Sequence, residues 1–134
     1  MMRIIVVLGI GNELITEDSF GPALAKALAA EGKIKALNCS TAPENFLKYV
    51  KEGDPVIFAD SARMPGEEGN VLLLERPVVS GIAGSTHTMS LEKLARFAKG
   101  KAYFLVYSPP EGCTPKDIRS AVSRAKEIAY SFLK

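Results

Sequence analysis

The stretch "IIVVLGIGNELITEDSFGPALAKAL", residues 4–28, decides the fold class of this chain. Its first part, Ile4 to Ile10, is an apolar run rich in Ile and Val, which is typical of a strand buried on both faces. From Ser19 onward, apolar residues recur at helical spacing until Gly32, where the helix is expected to end. A buried strand followed by a helix is the unit from which α/β proteins are built, and the polar loop between the two commonly binds a ligand.

The rest of the chain continues this alternation. Further strands are predicted at residues 34–39, 55–60, 71–74 and 102–106. Helical segments are predicted at "APENFLKYVKEGD", "SLEKLARFAKG" and "TPKDIRSAVSRAKEIAYSFLK", the last with a capping box and a proline at its first helical position. The hydroxyls of Ser19 and Ser90 are the expected caps of two earlier helices. Together these elements predict an α/β fold with a mostly parallel sheet that is covered on both faces.

One connection breaks the pattern of helical crossovers. The segment "SARMPGEEGN" between the third and fourth strands is too short for a helix and contains a Pro-Gly turn. The fourth strand is therefore expected to run antiparallel to its neighbour, at an edge of the sheet. No internal repeat, linker or low-complexity segment interrupts the sequence, so residues 1–134 are expected to form a single domain.

Composition and charge exclude several classes of function. The 134 residues carry a net charge of +2, with basic residues scattered along the chain, so nucleic-acid binding is not expected. The longest apolar run is too short to span a bilayer, and the N-terminus looks like a first strand and not a signal peptide. The two cysteines give no disulfide framework. We expect a cytoplasmic protein that does not insert into a membrane.

In such sheets, ligands bind where loops leave the carboxyl ends of the parallel strands. Two carboxylates and one imidazole can converge on this edge from three distant segments, and the loops carry further polar residues. The candidates are Asn12, Glu17 and Asp18 after the first strand, Pro43, Glu44 and Asn45 after the second, Asp60 at the end of the third, and His87, the only histidine, in "GSTHTMSL".

The donor set formed by Asp18, Asp60 and His87 suits a borderline divalent metal ion such as zinc or nickel, with coordination positions left for water or substrate. Each residue also has a structural explanation: a helix dipole contact for Asp18, a turn cap for Asp60 and a local hydrogen bond for His87. A serine triad is a second possibility, with Ser61 or Ser85 as the nucleophile, although no G-x-S-x-G elbow is present.

Two other motifs are weaker. Cys113 precedes a helix N-terminus, where a thiol can be activated, but it is better explained as an ordinary loop or core cysteine. In "GIGNEL", Leu14 stands where a dinucleotide-binding fingerprint has its third glycine, and no Gly-Lys-Ser/Thr follows. The first loop is therefore not built to bind phosphate.

The segments "GNELITEDSFGPALAKAL", "TAPEN", "VIFADSARMPGEEG" and "STHTMSL" occur in this order along the chain. Together they resemble the hydrogenase maturation endopeptidases, most closely the branch that processes formate-hydrogenlyase-type and energy-converting [NiFe] hydrogenases. The match extends more weakly through "FLVYSPP" to the last helix. The resemblance implies a phosphorylase/hydrolase-like, three-layer α/β/α sandwich around a mixed five-stranded sheet with one antiparallel strand.

The resemblance also implies a function. Members of this family remove a C-terminal extension from the [NiFe] hydrogenase large-subunit precursor after nickel insertion, as aspartyl endopeptidases with a metal site. The ligand and catalytic positions fall on Asp18, Asp60 and His87, and the metal is nickel borne by the substrate, or zinc. Asn12, Glu17, Pro43, Glu44 and Asn45 are the expected substrate-binding residues. The chain departs from the family pattern at Ser19, where glycine is usual, and at Ser61, where alanine is common.

Two other functions stay open from the sequence. One is a metal-free hydrolase related to peptidyl-tRNA hydrolase, suggested by Gly-Asn after the first strand, although that family needs a histidine near this loop. The other is a non-catalytic module that binds nickel or docks on a hydrogenase.

Overall fold

The computed structural model describes residues 5–51, 54–75 and 101–133. The α-helices in these ranges are α1 (Phe20–Glu31) and α2 (Pro115–Ser131). Two 3₁₀ segments, Thr16–Asp18 and Pro43–Tyr49, follow the first two strands. The strands are β1 (Val6–Ile10), β2 (Lys35–Ser40), β3 (Val56–Ser61), β4 (Val71–Leu74) and β5 (Ala102–Tyr107). The helix predicted in "SLEKLARFAKG" lies outside the described residues.

The strands form one five-stranded sheet in the order β2-β1-β3-β5-β4. The pairs β1–β2, β1–β3 and β3–β5 are parallel, whereas β4 lies at the edge and pairs antiparallel with β5. The connection from β3 to β4 makes two tight turns, with Glu67 N donating to Met64 O and Asn70 N to Glu67 O, both at 2.9 Å. The mixed sheet with an antiparallel edge strand is therefore confirmed.

Both α-helices pack on one face of the sheet. Side chains of alternate strand residues, such as Val7, Ile57 and Leu105, meet the apolar stripes of α1 and α2 there. The two helices also contact each other, because Glu31 accepts hydrogen bonds from Lys126 Nζ and Tyr130 Oη, both at 2.7 Å. Burial of this face accounts for the helical spacing of apolar residues in both segments.

The opposite face is also apolar and buried. Leu8, Phe58 and Phe104 lie on it, and the rings of the two phenylalanines stack with centroids 5.4 Å apart. The Pro43–Tyr49 segment packs against this face through Phe46 and Leu47. The short helix predicted in this segment is a 3₁₀ helix. Burial on both faces explains the continuous apolar runs of β1 and of residues 56–59 in β3.

Of the three predicted helix caps, Ser90 lies outside the described residues, and the other two differ in outcome. At α2 the capping box is present: Thr114 Oγ1 accepts from Asp117 N at 3.3 Å, and Asp117 Oδ2 accepts from Thr114 N at 2.9 Å. At α1 the prediction was wrong. Ser19 occupies the cap position, but its backbone is near-helical (φ −94°, ψ −2°) and its hydroxyl donates to Thr16 O at 2.7 Å. Because this hydroxyl is bonded to the preceding 3₁₀ turn, it does not accept a hydrogen bond from a backbone N–H of α1.

The start of α1 lies directly against the sheet. A Cβ on Gly21 would come within 2.3 Å of Ile10 O and 2.4 Å of Ala59 O, and a Cβ on Gly9 within 2.2 Å of Gly21 O. Only glycine at both positions permits this approach. It fixes the first residues of α1, and hence the end of the first loop, over the carboxyl ends of β1 and β3.

Candidate functional site

The first loop, Gly11 to Ser19, turns back on itself and carries Asp18 inward. Gly11 has φ +147°, and a Cβ there would lie 2.0 Å from Asp18 O, so the turn requires glycine. Asn12 N donates to Asp18 Oδ2 at 2.9 Å, while Asn12 Oδ1 accepts from Leu14 N at 2.9 Å. The result is that Asp18 is only 2% exposed although it lies in a loop.

Asp60 lies at the end of the neighbouring strand β3. It is 4% exposed, and its Oδ1 accepts from Ser61 N at 2.8 Å. The Thr16–Asp18 turn contacts β3, so the two acids belong to touching elements. Strand β2 lies on one side of β1, and β3 lies on the other side, so the order of the strands reverses at β1. The carboxyl ends of β1 and β3 flank this topological switch point. The structure thus brings both predicted acids to the position where open α/β sheets bind ligands.

The burial of these two side chains is unusual for their type. Aspartates are seldom almost fully buried unless they are paired or bind a cation or a substrate. Two such acids at one switch point are therefore a stronger indication of a site than either alone.

The third member of the predicted trio is not placed. His87 and its loop "GSTHTMSL" lie outside the described residues, and so does Ser85. In the part of the chain that the structure describes, no group of three His, Cys, Asp or Glu side chains is arranged to hold a metal ion. The metal site formed by Asp18, Asp60 and His87 stays a prediction.

A cleft of about 680 Å³ opens beside the first loop, on the side of β5. Its volume falls within the range of small-molecule and cofactor sites. Glu17 contributes to its wall, with Arg63 Nη2 at 4.0 Å from Glu17 Oε2. The described lining residues are Glu17, Arg63, Met64, Pro65, Glu68 and the segment Ser108 to Gly112. The cleft is therefore continuous with the loop that carries Asp18.

Ser108 joins the two walls of this cleft. Its hydroxyl accepts from Met64 N at 3.1 Å, its backbone N donates to Asn70 O at 3.0 Å, and its backbone O accepts from Gly69 N at 2.6 Å. Arg63 and Ser108 were not predicted as site residues from the sequence. The signal was present for the second, because "SPPEG" follows the carboxyl end of β5 as "GNEL" follows that of β1.

The "TAPEN" loop lies on the other side of the first loop. It follows β2, which pairs with β1 on the side away from β3 and β5. Pro43 is buried, whereas Glu44 and Asn45 are exposed at the start of the 3₁₀ segment. None of the three is among the described residues that line the cleft. The first loop therefore separates this part of the predicted substrate site from the cleft.

The described nucleophiles are poorly suited to covalent catalysis. Burial, and secondarily the nearby Glu44, raises the pKa of the Cys39 thiol to about 12. Burial also raises the pKa of Cys113, whose sulfur lies 3.8 Å from the Tyr107 hydroxyl. Since the thiolate is the reactive form, neither cysteine is activated. Ser61 is fully buried, so its hydroxyl is not accessible to solvent.

The sheet order, the helices on its face and the buried acids at the switch point define an α/β protein with a candidate ligand site at the carboxyl edge of its sheet. Among the described residues, no helix is long and apolar enough to cross a membrane.

Similarity to known proteins indicates which α/β proteins this chain resembles. No family model matches the sequence. A provisionally named hydrogenase maturation protease from Methanocaldococcus jannaschii is 29% identical over 107 residues, which is 71% of this chain and 63% of that relative. The match thus spans less than two thirds of the relative's length.

Solved structures agree on the fold. A [NiFe] hydrogenase maturation protease, HycI, from Thermococcus kodakarensis superposes with a TM-score of 0.75 at 23% identity, over 98% of this chain and 93% of that one. The hydrogenase maturating endopeptidase HybD from E. coli gives a TM-score of 0.74 at 22% identity, over 97% and 91%. The chain has the fold of the hydrogenase maturation proteases, and the resemblance indicated by its motifs is confirmed.

Proposed function

We propose that this protein is a cytoplasmic endopeptidase that removes the C-terminal extension of a [NiFe] hydrogenase large-subunit precursor after nickel insertion. The observation that carries the proposal is the burial of Asp18 and Asp60 together at the switch point, beside a cleft that opens from the same loop. The homologue and the solved structures of the same fold are named as proteases of this kind, which supports the assignment.

The donor chemistry of the site fits a divalent metal ion. Asp18 and Asp60 offer carboxylate oxygens that are shielded from water, and His87 would add an imidazole nitrogen. These three residues would hold nickel that arrives with the precursor, or a zinc ion. When bound, such an ion marks a loaded substrate or polarises the scissile carbonyl.

The chain's own residues position the acids and the substrate. The Asn12 N–H fixes Asp18 Oδ2, and the Ser61 N–H fixes Asp60 Oδ1, so each carboxylate is oriented by a backbone donor. The C-terminal extension lies in the cleft between Glu17 and the Ser108–Gly112 segment, and its scissile end passes over the two acids.

The test is direct. The purified protein is incubated with precursor loaded with nickel and, separately, with nickel-free precursor, and the C-terminal peptide is followed by mass spectrometry. Release of one peptide from the loaded precursor alone supports the proposal.

Absence of cleavage from both forms would contradict it. Binding of loaded precursor without cleavage would indicate the docking module. Hydrolysis of peptidyl-tRNA in a parallel assay would instead indicate the metal-free hydrolase.

A further inference from the structure

Leu14, at the tip of the first loop, is held in an unfavourable environment. Its side chain is 94% exposed, whereas the other exposed large apolar side chains in the described ranges, Tyr49, Leu73 and Leu133, are 39–45% exposed. A single exposed leucine is ordinary on a protein surface, and nearly complete exposure alone carries no conclusion.

The loop around Leu14 is fixed by hydrogen bonds on both sides. Asn12 accepts from Leu14 N at 2.9 Å through its side chain and from Ile15 N at 3.2 Å through its backbone. Glu13 forms an ion pair with Lys26 at 3.1 Å and accepts a hydrogen bond from the Asn38 side chain. A mobile loop could fold Leu14 against the surface, but these contacts hold the backbone so that its side chain points into water.

The end of β2 adds a further restraint. Ser40 O accepts from Gly11 N at 2.8 Å, and Ser40 itself has a left-handed backbone with φ +52°. A serine in this region is uncommon and costs conformational energy. The structure therefore tolerates strain at the base of the loop that presents Leu14.

Leu14 is also adjacent to the candidate site. Asp18, which is buried, lies four residues further along the same loop, and Glu17 lines the cleft. In the proposed complex, the C-terminal peptide of the substrate occupies the cleft and the folded body of the substrate lies against the first loop. A solvated apolar side chain gains free energy when a partner buries it, and because the backbone that carries Leu14 is already fixed, its binding costs little backbone entropy.

We infer that Leu14 is an apolar anchor that inserts into a pocket on the folded body of the protein substrate, separately from the contacts made by the cleaved peptide. This inference rests on the proposed function. It makes Leu14 a residue that sets affinity for the folded precursor and leaves the chemistry at Asp18 and Asp60 unchanged. Leu14→Ser should accordingly raise KM and Kd with little change in kcat.

The experiment compares wild type, Leu14→Ser, Leu14→Met and Leu133→Ser with nickel-loaded precursor, by processing kinetics and by a binding titration. Loss of one buried leucine contact corresponds to an increase in KM and Kd of roughly 10- to 100-fold. Leu14→Met should restore most of the affinity, because methionine has a similar volume and is equally apolar. Leu133 follows the C-terminal end of α2, and Leu133→Ser should behave like wild type.

The other outcomes overturn the inference. Equal KM for Leu14→Ser and wild type, or a fall in kcat at unchanged KM, would remove Leu14 from the docking surface. If Leu14→Ser changes the oligomeric state of the free protein, Leu14 contacts a second copy of this chain and not the precursor. Wild type that neither binds nor cleaves the precursor would instead refute the proposed function itself.

Discussion

The backbone N–H of Asn12 donates to Oδ2 of Asp18 at 2.9 Å, across a loop of the chain that leaves β1 and returns to α1. This bond, with the glycine turn at Gly11, is what places an acidic side chain of a surface loop almost completely out of water. The site therefore depends on loop geometry as much as on the identity of the acid.

Asp18→Asn should greatly lower the rate of processing but leave the protein folded. Asparagine retains an oxygen that can accept from Asn12 N, so we expect Tm to fall by only a few degrees. It removes the negative charge, so processing of nickel-loaded precursor should fall by roughly 100-fold or more. Asp60→Asn and His87→Ala should lose activity in the same way.

Rates of peptide release and thermal unfolding curves check this prediction. Glu127→Gln, on the exposed side of α2, is the matched control and should process precursor normally. Normal processing by Asp18→Asn would remove this carboxylate from the catalytic set.

Glu44→Ala and Asn45→Ala should slow processing more than they lower Tm. Both side chains are exposed at the start of the Pro43–Tyr49 segment, so their truncation removes little packing. A several-fold loss of kcat/KM with an unchanged Tm is expected if they contact the substrate. Lys48→Ala, in the same segment, serves as the control. Variants that unfold earlier yet cleave normally would show that Glu44 and Asn45 only start the 3₁₀ helix.

Gly21→Ala should destabilise the protein, although alanine is the better helix former. The added Cβ would meet Ile10 O at 2.3 Å and Ala59 O at 2.4 Å, and both atoms belong to the sheet backbone. Because neither can move freely, we expect a loss of about 2 kcal/mol or more in the free energy of unfolding. Urea titration measures this loss. Ala29→Ser on the exposed face of α1 should change it by less than about 0.5 kcal/mol.

Glu31→Gln should lower stability in a manner that depends on pH. The hydrogen bond from Lys126, followed by that from Tyr130, lowers the pKa of Glu31 below its ordinary value of 4.5. A carboxyl group with a lowered pKa stabilises the fold above its unfolded pKa, and this contribution is lost as pH falls through the folded pKa.

Wild type should therefore be more stable than Glu31→Gln at pH 7, and the difference should shrink as the pH falls below about 4.5, where the unfolded carboxyl takes up its proton. Urea unfolding at several pH values gives the measurement. A gap that is the same at pH 7 and pH 3 would show that Glu31 joins the two helices by packing and not by its charge.

The sequence by itself determined the strands, the last helix and the antiparallel edge, because each depends on a local pattern. Continuous apolar runs mark strands buried on both faces, and β4 matches the predicted residues 71–74. Thr114 and Asp117 are three residues apart, so their capping box could be predicted from spacing alone. The edge of the sheet where Asp18 and Asp60 lie followed from their positions at strand ends.

Only the tertiary structure decided how those positions become a site. The close approach of Gly9 and Gly21 joins residues of different elements, and the cleft joins Glu17 to Arg63 and to Ser108, far along the chain. Ser19 looked like a cap but bonds to the 3₁₀ turn before it. These contacts depend on which atoms meet after the sheet and helices pack, and packing joins residues without regard to their spacing along the chain. A sequence pattern can mark a strand end, as "SPPEG" does for Ser108, but not which side chains meet there.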